Sequence, residues 1–575
     1  MKKIKSYMLI AGIVLSASHL FAQKQDSLLR RQMELEREFN PTLQDANKIN
    51  SLPALQQPTI KKADTHYSTW AGRTTPPLEI AMPKPGNAMT EIPYDDKRGY
   101  AGVGVGNNGN IDGIFGYRLI DKTADKLNFT FRHNSSNSNM EYVQDSDPFT
   151  NKAYFMDNTG RLEYDRLADA YRFNIGASYL HSSFNYYGNT FGDTRIFDDE
   201  NQGLGVFSLN AGVQSVGNED FNYTAFIDYK NFSNKYGTAL NDKGLGGNQF
   251  DARFSLEKPF KDYDSRIGID GQVFGVFNDV PSAIAYNDIF LLKGSPYFHF
   301  KGDAWDAKLG ANVIFKFADQ NRIYFTPNVN VSLNVSERSS LYATIGGGVD
   351  DNGHPNLMEE SRYLKPMTYV KPSFSIIDME LGAKIGEADG FRFDIFGGFK
   401  KTSDEHFLLF EQTSSTPPTS SANKEYLNPF YADLSRSFIG GRVQNNSLSF
   451  LELSVGLKKN LYTLKGLTIG DTEVSDAKAY NRPGFEADIR TTFEVAADLK
   501  FTLNYYFAGD RWTYFNRENV KMGSISDLNL GAVYRFTDWL SINVKANNLL
   551  FQKYDIWYGF PAQGFNAMGG ATIKF

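Results

Sequence analysis

The residues with the most reactive chemistry form two short groupings, Asp404-Glu405-His406 and Asp350-Asp351 followed by His354. A carboxylate that orients an imidazole is the arrangement of general acid–base catalysis. Spacing weighs against the first set, because in an extended chain adjacent side chains point to opposite faces and Glu405 would diverge from His406. The acidic stretch Asp350, Asp351, Asn352, Asn356, Glu359 and Glu360 carries the oxygen ligands that Ca²⁺ prefers, but without the ligand spacing of a defined calcium loop. Solvation is its expected role, and the same holds for Asp198, Asp199 and Glu200. His66, His133, His181, His299, His354 and His406 show no metal-ligand spacing with one another. Gly102, Gly104 and Gly106 resemble a dinucleotide-binding turn but lack a strand–turn–helix context, and small residues at alternate positions suit a crowded strand. The chemistry-bearing residues therefore predict no catalytic site, no cofactor and no metal.

The elements that position these residues are written in the hydropathy pattern. Phenylalanine (46) and tyrosine (32) lift the aromatic content to 14% while mean hydropathy stays at -0.42. An apolar face diluted by a polar one is what a β-barrel in lipid shows. There is no cysteine, which excludes a disulfide framework and the lipid-modified cysteine of a lipoprotein. A net charge of -6 with scattered Lys and Arg gives no footprint for nucleic acid.

Beyond the N-terminus no run is long and apolar enough for a membrane-spanning helix. Period two takes its place. Ile323, Phe325, Pro327, Val329, Val331, Leu333 and Val335 alternate with Tyr324, Thr326, Asn328, Asn330, Ser332 and Asn334. The pattern recurs in Trp305–Phe315, Leu451–Leu457, Leu499–Phe507, Leu528–Phe536, Ile542–Ala546, Tyr171–Tyr179 and Phe221–Tyr229. A soluble sandwich also alternates, but these strands have the length of a tilted membrane crossing, aromatics gather near their ends, and the chain finishes on Phe575. The fold class predicted is all-β: one large antiparallel transmembrane barrel over residues 99–575, with an even strand number of about 18–22. In lipid an open sheet edge is costly, so Tyr100–Asn107 is expected to pair with Ala571–Phe575.

Residues 1–22 read as a signal peptide, with Lys2, Lys3 and Lys5 before an apolar stretch and cleavage after Ala22. Residues 23–98 read as a periplasmic extension: a short amphipathic helix over 26–39, then a proline-punctuated extended segment. That tail, through residues 24–90, is expected to enter the lumen as a partial plug or to dock a periplasmic or outer-membrane protein; a plain solvated leader is the alternative.

Long polar stretches at 134–158, 189–203, 235–246, 349–367, 412–424 and 509–523 are assigned to the extracellular side, and short turns such as Gly217–Asp220 and Thr537-Asp538 to the periplasmic side. A lumen this wide cannot be filled by wall side chains, so something else occupies it or it is a channel. The face turned from lipid carries Asn128, Thr130 and Arg132; Asp306, Lys308 and Asn312; Glu452 and Lys458; Arg535; Asn543 and Lys545. Both signs of charge predict a polar passage of weak charge selectivity. The expected location is the outer membrane and the expected activity non-enzymatic passage of a polar solute. The competing reading is a scaffold or assembly-complex subunit that presents loops and tail to partners.

The C-terminal residues carry a family resemblance. Asn548, Leu549, Leu550, Phe551, Gln552, Lys553 and Tyr554, then Gly559, Phe560, Pro561, Gly564 and the terminal Phe575, resemble the closing segment of TonB-dependent receptors, Asn-Leu-Phe-Asp-Lys-Lys-Tyr followed by Gly-Tyr-Pro-x-Pro-Gly-Arg. Here Leu550 stands for the Phe, Phe551 for the Asp, Gln552 for the first Lys, Phe560 for the Tyr, Gln563 for the second Pro and Phe565 for the Arg. The resemblance implies a receptor-type barrel in contact with outer-membrane lipid and assembled by the barrel-assembly machinery through its C-terminal strand. It departs from the family before the barrel: residues 23–98 are too few for the family's folded plug, and no TonB box is evident. A plugless relative is the reading.

Overall fold

Alternation of side chains, carried through register, decides how the chain closes. In the computed structural model residues 97–143, 150–190, 201–216, 220–237, 244–259, 265–279, 288–318, 320–386, 390–410, 425–448 and 450–575 are described. The signal and tail assignments over residues 1–96, and the run Asp198–Glu200, lie outside them. Twenty-two antiparallel strands form one sheet in which each pairs with its sequence neighbours, and the first strand, Gly99–Gly106, pairs with the last, Asn566–Lys574. The seam runs from Tyr100 opposite Lys574 to Gly106 opposite Met568, as the terminal residues predicted. Closure leaves no edge to be satisfied by lipid, which could not supply a hydrogen bond.

One face of the sheet is greasy. Ile323, Phe325, Val331 and Leu333 are exposed on one strand, Ile267 and Ile269 on another, and Ile542 and Val544 near the seam. Against lipid this exposure is burial. The opposite face is polar and crowded near the seam, where a Cβ added to Gly116 would lie 2.4 Å from the Tyr100 ring.

Both ends of the barrel chain lie on one rim, and connections there are short: 122–124, 168–170, 302–304, 337–338, 497–498 and 538–539. The other rim carries the long ones, among them 351–372, 466–484, 510–524 and 548–565. The loop expected at 134–158 is much shorter. Strands Asp125–Glu141 and Thr150–Leu167 stay in register up to Glu141 opposite Thr150. Past the lipid both faces of a strand are wet, so hydropathy alternation fades while backbone pairing continues. Strands Phe391–Phe410 and Leu427–Leu448 overshoot further, at 20 and 22 residues, against roughly 9–11 for a tilted crossing.

Candidate functional site

The long-loop mouth is where this barrel departs from a hollow cylinder. The connection 351–372 does not extend into solvent; it folds inward and carries a helix, His354–Glu360. Pro355 at the first turn presets helical φ, and the helix buries His354, Pro355, Leu357 and Met358. Left-handed Asn352 (φ 49°) and Met367 (φ 61°) mark its entry and exit. Leu357, Met358, Leu364 and Val370 join one apolar cluster with Phe184, Leu204, Phe232, Phe274, Val276 and Ile289 from the inner faces of the wall.

Phe560, in the connection 548–565, closes the cluster. Fully buried, it stacks on Tyr363 at 4.4 Å and on Phe410 at 5.7 Å, and meets Tyr187 edge-on at 5.3 Å. Tyr187 follows the fifth strand, Phe410 ends the fifteenth, and Phe560 lies between the last two. Residues from such distant points of the circumference meet only by converging across the lumen. Polar bonds fix the crossing: Tyr187 Oη donates to the Pro561 carbonyl at 2.9 Å, Asn189 N–H to the Gly559 carbonyl at 2.9 Å, and buried Arg511 to the carbonyls of Asp555 (2.8 Å) and Ile556 (2.6 Å). Gly188 lets Phe560 in, since a Cβ there would sit 2.2 Å from its ring.

The tip of the hairpin formed by Phe391–Phe410 and Leu427–Leu448 stands between two such clusters. A register shift between Thr402 and Glu405, with Asp404 left-handed (φ 55°), kinks the strand. Beyond the kink both faces are buried: Leu408 and Phe410 in the first cluster, Phe407 and Leu409 in a second with Leu434, Leu467 and Tyr480. Glu405 and His406 consequently diverge. Glu405 accepts from Arg482 Nη2 at 2.7 Å, both side chains only 3% and 6% exposed, while His406 Nε2 lies 2.6 Å from Glu360 on the inward loop. Arg362 of that loop reaches Asp157 on the wall at 2.9 Å. The divergence expected of adjacent strand residues is thus observed, and the two side chains form separate latches.

Asp351 accepts from Gly353 N–H at 2.5 Å and from Asn356 at 2.9 Å; no set of three metal-ligating side chains gathers among the described residues. Burial pushes the Asp351 carboxyl up to about 6 and the His354 imidazole down to about 4. The His354 ring lies parallel to Phe232 and neither nitrogen has a partner. The signs oppose. His354, depressed in the fold, contributes stability above pH ~6.5 that is lost as pH falls through about 4; Asp351, raised, contributes below pH ~3.8 and loses it as pH rises through about 6. In His354→Phe, amide exchange in 353–371 at pH 4–5 should therefore be slower than in wild type; faster exchange would contradict the assignment.

The face predicted to be polar carries the following contacts. Lys308 Nζ donates to Asp270 at 2.8 Å and caps the Tyr297 ring; Asp306 meets His299 at 2.8 Å; Lys545 meets Asp112 at 3.1 Å; Arg535 holds Asp498 at a short turn. Asn128 is opposite Arg118 and Glu163, Arg132 opposite Ile114 and Thr159, and Glu452 opposite Thr492. Lys458 faces the Phe438 ring at 5.2 Å. In the C-terminal motif Asn548 (φ 51°) bonds Gln552 twice, Leu549 N–H reaches Leu528, Lys553 pairs with Glu141, Tyr554 is buried beside Ala508 and Ile525, and Phe575 stacks on Tyr117. Pro561 accepts from Tyr187, and Gly564 has open space around its Cα. Arg482, Arg511 and Phe560 were missed as sealing residues because nothing in their spacing signals them.

No protein-family model and no curated protein matches the chain. Solved structures do. The ferric enterobactin receptor PfeA of Pseudomonas aeruginosa superposes with a TM-score of 0.61 at 12% identity, over 84% of this chain and 81% of that one. The ferric-catecholate import receptor Fiu of E. coli K12, in a closed form, gives 0.61 at 9% over 84% and 82%. The siderophore receptor PiuA of Acinetobacter baumannii gives 0.60 at 11% over 84% and 82%. All three are receptors rather than enzymes. At this identity the likeness is one of architecture, and it agrees with the apolar belt and the closed sheet: the chain folds as a 22-strand outer-membrane β-barrel and shares that fold with these receptors.

Proposed function

We propose that the chain is a gated outer-membrane passage for a polar solute, held shut by its own inward-folded loops. The observation that carries this reading is the contrast between an inner wall that bears both signs of charge and a mouth crossed by one apolar cluster around Phe560. A mere scaffold has no use for a wide hydrated wall, whereas a permanent pore has no use for a lid. Asn128, Arg132, Asp306, Lys308, Glu452, Lys458, Arg535 and Lys545 line the passage in this reading, and the resemblance in fold to import receptors supports uptake as its direction. The scaffold reading draws on the same sealed mouth: a closed lumen suits a protein that only displays its loops and residues 24–90 to partners.

Planar-bilayer recording separates the two. The intact chain should be silent, and so should a variant lacking residues 24–90, because the lid closes the mouth whether or not the tail is present. If steady current appears on tail deletion alone, the tail and not the lid is the closure. If a variant with an unlatched lid is also silent, the scaffold reading stands.

A further inference from the structure

Two adjoining hollows open on the polar wall near the rim of short connections, at the opposite end of the strands from the lid. Their volumes are about 300 and 340 Å³, and they share Gln214 and Thr224. Such volumes stand at the low end of small-molecule sites, roughly 300–1,000 Å³. Register sets the side chains around them in two rows across neighbouring strands. In one, Asp165, Asn174, Gly212, Phe226 and Arg253 stand each directly opposite the next. In the other, two residues along, the order is Arg172, Gln214, Thr224 and Ser255. Residues of the other parity, Ile175, Leu209, Ile227 and Phe254, belong to the exposed apolar face, so both rows face the lumen.

The first hollow exists because Gly212 has no side chain. It lies between Asn174 and Phe226, and a Cβ on it would sit 2.3 Å from Asn174 Oδ1. The half-buried Phe226 supplies an apolar flank. Asn174, Gln214 and Thr224 make no side-chain hydrogen bond among the described residues, which leaves their amide and hydroxyl groups to a solute. Charge, by contrast, is already matched: Asp165 meets Arg172 at 3.1 Å, Arg253 meets Asp251, and Glu257 on the second hollow meets Arg266 at 2.7 Å. An ionised solute finds no spare counter-charge here, whereas a paired carboxylate still accepts from a hydroxyl and a paired guanidinium still donates to one. Amides that donate and accept at once, beside an aromatic side chain, suit a molecule with hydroxyls on its edges and C–H groups on its faces. We propose that the two hollows form a carbohydrate-binding groove on the lumen wall that takes one or two neutral sugar rings. The inference rests on the passage reading above and names the class of its solute.

Binding is measured on the purified full chain by saturation-transfer NMR titration with glucose, galactose, maltose and lactose, and with citrate and lysine as charged comparisons. The detergent is a polyoxyethylene ether, which carries no sugar headgroup. At least one of the four sugars should bind saturably, and neither charged solute should. Asn174→Ala combined with Gln214→Ala should weaken sugar binding about tenfold or more, the loss of two hydrogen-bonding groups, and should melt as wild type because neither side chain has a partner in the fold. Gly212→Val should abolish binding by filling the hollow, since the atom it meets is the movable end of Asn174. Asn328→Ala, on a strand outside the groove, should bind as wild type. Absence of binding by all four sugars, equal binding in the Asn174/Gln214 double variant, or binding of a charged solute that this variant removes overturns the proposal. Since no flux is measured, that failure leaves the passage reading intact, and a silent bilayer leaves the groove intact.

Discussion

Replacing residues 353–371 with a short Gly-Ser connection is expected to turn a silent barrel into one that passes steady current. The segment contributes Leu357, Met358, Tyr363, Leu364 and Val370 to the cluster that spans the mouth, and it is latched through Arg362 to Asp157 and through Glu360 to His406. Without it Phe560 loses its 4.4 Å partner Tyr363 and faces a gap lined by the wall residues Phe184 and Phe232. The barrel itself should survive, because its 22 strands pair without help from this connection. Recording the variant in planar bilayers checks the expectation, with retention of β-type circular dichroism as the control for folding. A silent but folded variant would favour the scaffold reading over a gated passage.

Arg482→Ala should be the most damaging single substitution in the mouth. The guanidinium donates to Glu405 and to the His406 carbonyl at 2.9 Å and lies 4.5 Å over the Phe407 ring, with almost no solvent near it. Removing one partner of a buried pair leaves the other uncompensated and costs roughly 3–5 kcal/mol. Glu405→Ala should cost a similar amount. The double variant should recover part of the loss, as it leaves neither charge stranded. Melting curves of the four proteins test this; additive losses would mean that the two residues act independently.

Much of the cylinder was legible in the chain because lipid enforces a simple rule. Alternation in Arg322–Ser336 and the terminal Phe575 were enough for fold class, closing pair and an even strand count within the expected range. The lid was not legible, because a connection obeys no such rule. Its acids, Asp350, Asp351, Glu359 and Glu360, suggested solvation, while the four apolar residues that bury it fall at irregular intervals. One signal was available: Phe407, Leu408, Leu409 and Phe410 run without alternation, which is how a strand reads when both faces are covered.

The crossing at Phe560 also sets an order of events. Its hydrogen-bonded neighbour Pro561 is 374 positions from Tyr187, and it sits between the two final strands of the sheet. Contacts so remote in sequence form late. The crossing can therefore set only once the whole polypeptide has been threaded and the last strand has docked, so a half-built cylinder lacks the bridge that a finished one carries.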